Sequence, residues 1–216
     1  LAAFHGYNYL LARENLTDHL SVNDRKDKIR QRLWKIRAKK VVIATGAIER
    51  PLIFNNNDRP GILLSSSIKK YIDYYGVKCG TKISIFTSND SAYETVLSLY
   101  KNGVKVNSII DIRDKSESLI VKKVQDIGIK IYWKHTVVNT KGYKRINSIE
   151  LMKLNEKGTG VIGEKINESC DCLGISGGWT PMVHLFTQSG GKLEFNRIDN
   201  MFIPNENKIP SEQISV

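Results

Sequence analysis

The stretch KISIFTSNDSAYETVLSLYKNGVKVNSIIDI, Lys82 to Ile112, decides the fold. KISIF is a short run of β-branched and aromatic residues, the composition of a strand buried on both faces. Thr87-Ser88-Asn89-Asp90 is a polar turn, and Ser91 or Asp90 can cap a helix after it. AYETVLSLYKNG has helical spacing and stops at Gly103, and VKVNSIIDI returns to a strand. The next residues repeat the alternation. SLIVKKVQDIG reads as a second helix, with Leu119, Val121 and Val124 apolar and Gly128 closing it, and IKIYW is a third strand. A β-α-β-α-β order is the mononucleotide-binding half of a doubly wound parallel sheet.

The flanks extend this unit. Downstream, HTVVNTKGYKRINSIELMKLN and GEKINESCDCLGIS alternate as β-strands, with turns at Lys141-Gly142 and Lys157-Gly158. They predict a three-stranded antiparallel crossover. Upstream, SSSIKKYIDYYG predicts a helix with Ile68, Ile72 and Tyr75 on one face and Gly76 just beyond its end. RPLIFNNNDRPGILLSSS, with two prolines and an Asn-Asn-Asn-Asp cluster, reads as a crossing loop. KVVIA reads as a buried parallel strand, RQRLWKI as a half-exposed one, and GYNYLLARENL as an extended segment.

A chain of 216 residues holds one large domain or two small ones. Its formal net charge is +11. The lysines and arginines are scattered over loops and helix faces, and no aromatic-basic recognition motif joins them, so nucleic acid is not expected as a partner. A solvated surface accounts for the charge, with anionic cofactors or an acidic partner subunit as alternatives. The three cysteines, Cys79, Cys170 and Cys172, form no C-x-x-C pair. This suits buried thiols in a reducing, cytoplasmic compartment and excludes disulfide-reductase chemistry in this segment. His5, His19, His135 and His184 have no ligand spacing, so no metal site is expected. No apolar run approaches the roughly 20 residues that span a bilayer, and no signal peptide is visible.

KKVVIATGAIERP, Lys39 to Pro51, runs a buried strand into Ala44-Thr45-Gly46. A small residue, a hydroxyl and a glycine at a strand end permit a close approach of backbone and ligand. A plain strand-to-loop turn is the other reading. In order along the chain, VVIATGAIERP, the β-α-β-α-β unit and CDCLGISGGWTPMVHL resemble the two-dinucleotide flavoproteins of the pyridine-nucleotide-dependent disulfide-reductase fold. ATGAIERPLIFNNNDRPGILL, FTSNDSAYETVLSLYKNGVKV and SGGWTPMVHLFTQSGGKL resemble, more closely, the alpha subunits of heterotetrameric sarcosine oxidases.

The resemblance implies an α/β, Rossmann-like domain at about residues 64–168. It would be inserted in a second dinucleotide-binding domain formed by residues 1–63 and 169–216 and incomplete in this segment, with its glycine-rich loop before Leu1. It implies NAD as cofactor, FAD or FMN in the parent complex, and beta, gamma and delta subunits as partners. It also implies oxidative demethylation of sarcosine with one-carbon transfer to tetrahydrofolate. A stand-alone NAD(P)H-dependent FAD oxidoreductase is the alternative parent. Ala44, Thr45, Gly46, Gly177 and Gly178 are the expected contacts of the first-domain dinucleotide. In the inserted domain the contacts would be Thr87, Ser88, Asn89, Asp90 and Asp111. There the phosphate loop departs from G-x-G-x-x-G/A: Thr87 and Asn89 stand at glycine positions, Asp90 adds a negative charge, and only Ala92 fits. Asp111, followed by Arg113, is either the ribose-binding acid or an exposed strand-end carboxylate. No residue is expected to be catalytic.

Overall fold

In a computed structural model of the chain, residues 7–205 and Asn207 are described in full and residues 2–4 and 214–215 by their backbone alone. The chain forms two compact units, Leu1–Ile48 with Thr180–Val216, and Glu49–Trp179.

The second unit carries the expected alternation: β1 (Ile62–Leu64), α1 (Ser65–Tyr75), β2 (Ile83–Thr87), α2 (Ser91–Lys101), β3 (Val106–Asp111), α3 (Leu119–Asp126) and β4 (Lys130–Trp133). Three long antiparallel strands follow, β5 (His135–Gly142), β6 (Ile146–Leu154) and β7 (Val161–Ser169), and then β8 (Cys172–Ser176). Strands β1, β8, β2, β3 and β4 form one sheet in that order, and every pairing in it is parallel. KISIF, VNSIIDI and IKIYW therefore share a sheet, as the alternation predicts.

Side-chain alternation along these strands makes three layers. Ile83, Ile85 and Ile109 face the helices and pack with Ile68, Ile72, Tyr93, Val96, Leu99, Val121 and Val124. Phe86, Ile110, Leu173 and Ile175 face the other way, against Val137, Ile146, Ile149 and Leu151 of the antiparallel sheet. Two polar positions on that second face, Ser84 and Ser108, are fully buried and both donate to the Glu168 carboxylate of β7. Helix ends follow the glycines: Gly76 is left-handed, with φ 62°, and closes α1 on the Tyr71 carbonyl.

Four expectations change. Ile62–Leu64 is not part of a crossing loop, because it gains a parallel partner in Leu173–Ile175. That pairing widens the compact unit well beyond residues 64–168. Tyr75 does not share the buried face of Ile68 and Ile72 and is 58% exposed. Val41–Val42 is a two-residue strand paired with Ile214–Ser215, and Val42 is 74% exposed. Among the described residues no other strand pairs with it, so it lacks the two neighbours a buried parallel strand needs. Gln31–Arg37 pairs with Tyr9–Asn15 as a strand, yet all seven of its residues are exposed. The first unit has its own small core, in which Ile43 and Phe186 pack with Leu10, Val41, Leu185 and Leu193.

Candidate dinucleotide-binding site

The carboxyl ends of β2, β3 and β8 bring Thr87, Asp111 and Ser176 to one edge of the second unit. This is the edge at which parallel α/β sheets bind ligands. The loop from Thr87 to Ser91 folds on itself there. The Thr87 side chain is fully buried; its hydroxyl donates to the Asn89 carbonyl at 2.9 Å and accepts the Asn89 N–H at 3.0 Å. The Asn89 amide donates to the Ser176 hydroxyl at 3.0 Å and the Ser176 carbonyl at 3.2 Å. Its Oδ1 accepts the N–H of Ser91, the first residue of α2, at 3.1 Å, and also the Ser91 hydroxyl. Ser88 N–H donates to the Ser176 carbonyl. Trp179 closes the outer side: its indole N–H donates to the Ser91 hydroxyl at 2.9 Å. At 38% exposed, Trp179 is a cover over the helix start rather than a core residue.

Asp90 and Asp111 meet on one cation. The Asp111 side chain is fully buried; it accepts Arg113 Nε at 3.0 Å, Arg113 Nη2 at 2.7 Å and the Tyr93 hydroxyl at 2.8 Å. Arg113 N–H also returns to Asp111 Oδ1, a turn that folds the arginine back onto the acid two residues earlier. Arg113 Nη1 reaches Asp90 Oδ1 at 2.7 Å. Burial alone would raise the Asp90 carboxyl, but the Arg113 guanidinium and a hydrogen bond from the Ser116 hydroxyl at 3.1 Å hold it below the ordinary aspartate value. Burial pushes the Tyr93 phenol far above its usual value, and the adjacent Asp111 charge adds to this. Burial also works against the Arg113 charge, but its two carboxylates outweigh that and raise its pKa. Asp111 is thus neither exposed nor turned outward, which removes the reading of it as an exposed strand-end carboxylate.

Gly177 and Gly178 belong to the second compact unit, against the expected boundary. Gly177 N–H donates to the Arg50 carbonyl at 2.7 Å, and Arg50 N–H to the Gly178 carbonyl at 2.8 Å. A Cβ on Gly177 would stand 3.0 Å from the Pro51 carbonyl oxygen, and Gly178 has φ +97°. The Arg50–Pro51 backbone accounts for Gly177, whereas at Gly178 the left-handed φ and the Arg50 side chain, 2.9 Å from where a Cβ would stand, do so. Beside it, Glu49 is 4% exposed and accepts the Ser66 N–H at 2.8 Å, satisfying a donor at the start of α1 that the Leu64 side chain cannot.

Ala44, Thr45 and Gly46 lie in the first unit and are exposed. The Thr45 hydroxyl donates to the Met182 carbonyl at 2.6 Å, and Met182 N–H to the Gly46 carbonyl at 2.9 Å. Gly46 has φ +70°, and a Cβ there would meet nothing within 4 Å. This glycine serves a left-handed turn beside open space, a geometry that fits close approach of a ligand. The polar atoms of the 87–91 loop, by contrast, are turned on one another, so this loop does not fit a dinucleotide pyrophosphate. Arg113, Tyr93, Ser176 and Glu49 are the residues sequence reasoning missed. The D-x-R spacing at the end of β3 was the signal available for Arg113.

No family model matches the chain. Its fold is similar to that of solved structures such as a FAD-dependent pyridine nucleotide-disulphide oxidoreductase from Desulfovibrio vulgaris, which superposes with a TM-score of 0.54 at 15% identity, covering 79% of this chain and 46% of that one. An L-proline dehydrogenase from P. horikoshii superposes with a TM-score of 0.61 at 22% identity, covering 100% of this chain and 35% of that one. T. acidophilum thioredoxin reductase superposes with a TM-score of 0.59 at 21% identity, covering 78% of this chain and 52% of that one. Sequence narrows the class. The sarcosine oxidase subunit alpha of Corynebacterium sp. (strain U-96) is 38% identical over 199 residues, 91% of this chain and 20% of that protein. The chain belongs to the family of sarcosine oxidase alpha subunits and spans about a fifth of the length of the curated relatives it matches.

Proposed function

We propose that the chain is the dinucleotide-binding and structural region of the alpha subunit of a sarcosine-oxidising flavoenzyme complex. In this reading the complex demethylates sarcosine oxidatively at a flavin and passes the one-carbon unit to tetrahydrofolate, in the cytoplasm, with beta, gamma and delta subunits as partners. NAD is held on the first unit, with Ala44, Thr45 and Gly46 where the dinucleotide crosses the strand end. The second unit keeps the Rossmann frame while its own dinucleotide loop is closed by Thr87, Asn89, Asp90 and Asp111. Gly177 seats the Arg50–Pro51 backbone, and Gly178 leaves room for the Arg50 side chain. The observation that carries the reading is the 38% identity, which runs through both units rather than through the Rossmann segment alone.

The test is turnover. The assembled parent complex should consume oxygen with sarcosine, and its product should be captured by tetrahydrofolate. The purified 216-residue chain should neither oxidise sarcosine nor reduce a flavin with NADH, because its sequence has neither a glycine-rich first phosphate loop nor a C-x-x-C pair, and no acid–base constellation is formed among the described residues. Steady turnover by the chain alone would refute the reading, as would a complex inert to sarcosine.

A further inference from the structure

Helix α1 has two apolar faces where one suffices. Ser65, Ile68 and Ile72 are buried against the sheet. The opposite stripe, at helical spacing, is Ser67, Lys70, Tyr71, Tyr74 and Tyr75. A surface helix ordinarily presents charge there. Here Tyr71, Tyr74, Tyr75 and the following Val77 are 43%, 77%, 58% and 48% exposed. The rings lean on each other: centroids are 6.0 Å apart for Tyr71–Tyr75 and 4.8 Å for Tyr74–Tyr75. Helices α2 and α3 carry only Tyr100 and Leu119 as large exposed apolar residues, so the cluster is particular to α1. Ser67, Lys70, Tyr71, Tyr75 and Val77 line a depression of about 420 Å³, room for a large side chain.

Charge says what kind of surface covers it. Lys70 and Lys78 flank the tyrosines, are exposed, and have no carboxylate partner among the described residues. A second copy of a chain of net charge +11 would bring like charge to a basic rim. Tyrosine gives rigid contact area at low entropic cost and is enriched at the centres of protein interfaces.

We propose that this face of α1 docks an acidic surface of another subunit of the complex, with one apolar side chain of that subunit seated among Tyr71, Tyr75 and Val77 and carboxylates facing Lys70 and Lys78. The proposal rests on membership of a multi-subunit complex.

The experiment uses the parent alpha subunit, alone and assembled with its partner subunits, under hydroxyl-radical footprinting. Residues 71–77 should be labelled in the free subunit and protected in the complex. Tyr71→Ala with Tyr75→Ala should weaken assembly by about tenfold or more. Lys70→Glu should slow association and flatten its salt dependence. Tyr143→Ala, at a 93% exposed tyrosine in the β5–β6 turn, should do neither. A complex that forms while residues 71–77 stay labelled overturns the docking site and leaves the assembly reading intact. Protection in the alpha subunit alone means that another part of that subunit or a second copy covers the face, and overturns the proposal. Failure of the subunits to assemble overturns both.

Discussion

Asp111 and Asp90 hold the same guanidinium, but their burial gives them different weight. Asp111→Ala would leave the Tyr93 hydroxyl without its acceptor at a buried site and Arg113 with Asp90 alone, so it is expected to cost about 3 kcal/mol, the low end for breaking a buried pair. Asp90 is partly in water, with 37% of its side chain exposed, and Arg113 keeps its second carboxylate. Asp90→Asn is therefore expected to cost about 1 kcal/mol or less. Urea unfolding of the two variants reads the contrast. The Asp90 contribution also has a pH signature. Its folded pKa lies below the ordinary 3.8, so the ionised form is favoured by folding. The gap in melting temperature between wild type and Asp90→Asn should be full above pH 3.8 and close as pH falls through the lower folded value. A gap that grows on acidification would contradict the Asp90–Arg113 pairing. Sequence showed that Thr87 and Asn89 occupy glycine positions. It did not show that their side chains would fill the loop: the Thr87–Asn89 and Asn89–Ser91 bonds are local, but the Asn89 amide is held by Ser176, 87 residues away.

Elements whose periodicity is long and local were readable in advance: α1, α2, α3 and the three strands between and after them. Short elements defined by a distant partner were not. Ile62–Leu64 sits between Pro60-Gly61 and three serines, which look like loop punctuation, and becomes a strand only through Leu173–Ile175. Val41–Val42 erred the other way, since a continuous apolar run reads as buried whether or not neighbours cover it. The glycines separate by role at this scale. Gly177→Ala sets a Cβ 3.0 and 3.1 Å from two backbone carbonyl oxygens, which cannot rotate away. It is expected to destabilise the second unit by about 1–3 kcal/mol. Gly46→Ala meets open space and should cost only the left-handed backbone preference, about 1–2 kcal/mol. Hydrogen exchange within β8 should report the first change and remain unaltered by the second.

At the scale of the molecule, two compact units divide at Ile48/Glu49 and Trp179/Thr180. The sequence placed those boundaries inside the parallel sheet, because the order of strands in space is not written along the chain. The Rossmann frame and the family resemblance were legible; the closure of the nucleotide loop was half legible, as missing glycines. That closure is the central claim. It is tested most directly by titrating NAD into the isotope-labelled 216-residue chain and following the backbone amides of Ser88 to Ala92 by NMR. The wild-type amides should not shift at millimolar NAD. They should shift in the variant combining Thr87→Gly, Asn89→Gly and Asp90→Asn, and hardly at all in Asp90→Asn alone. Saturable shifts of Ser88–Ala92 at micromolar NAD in the wild type would contradict the account.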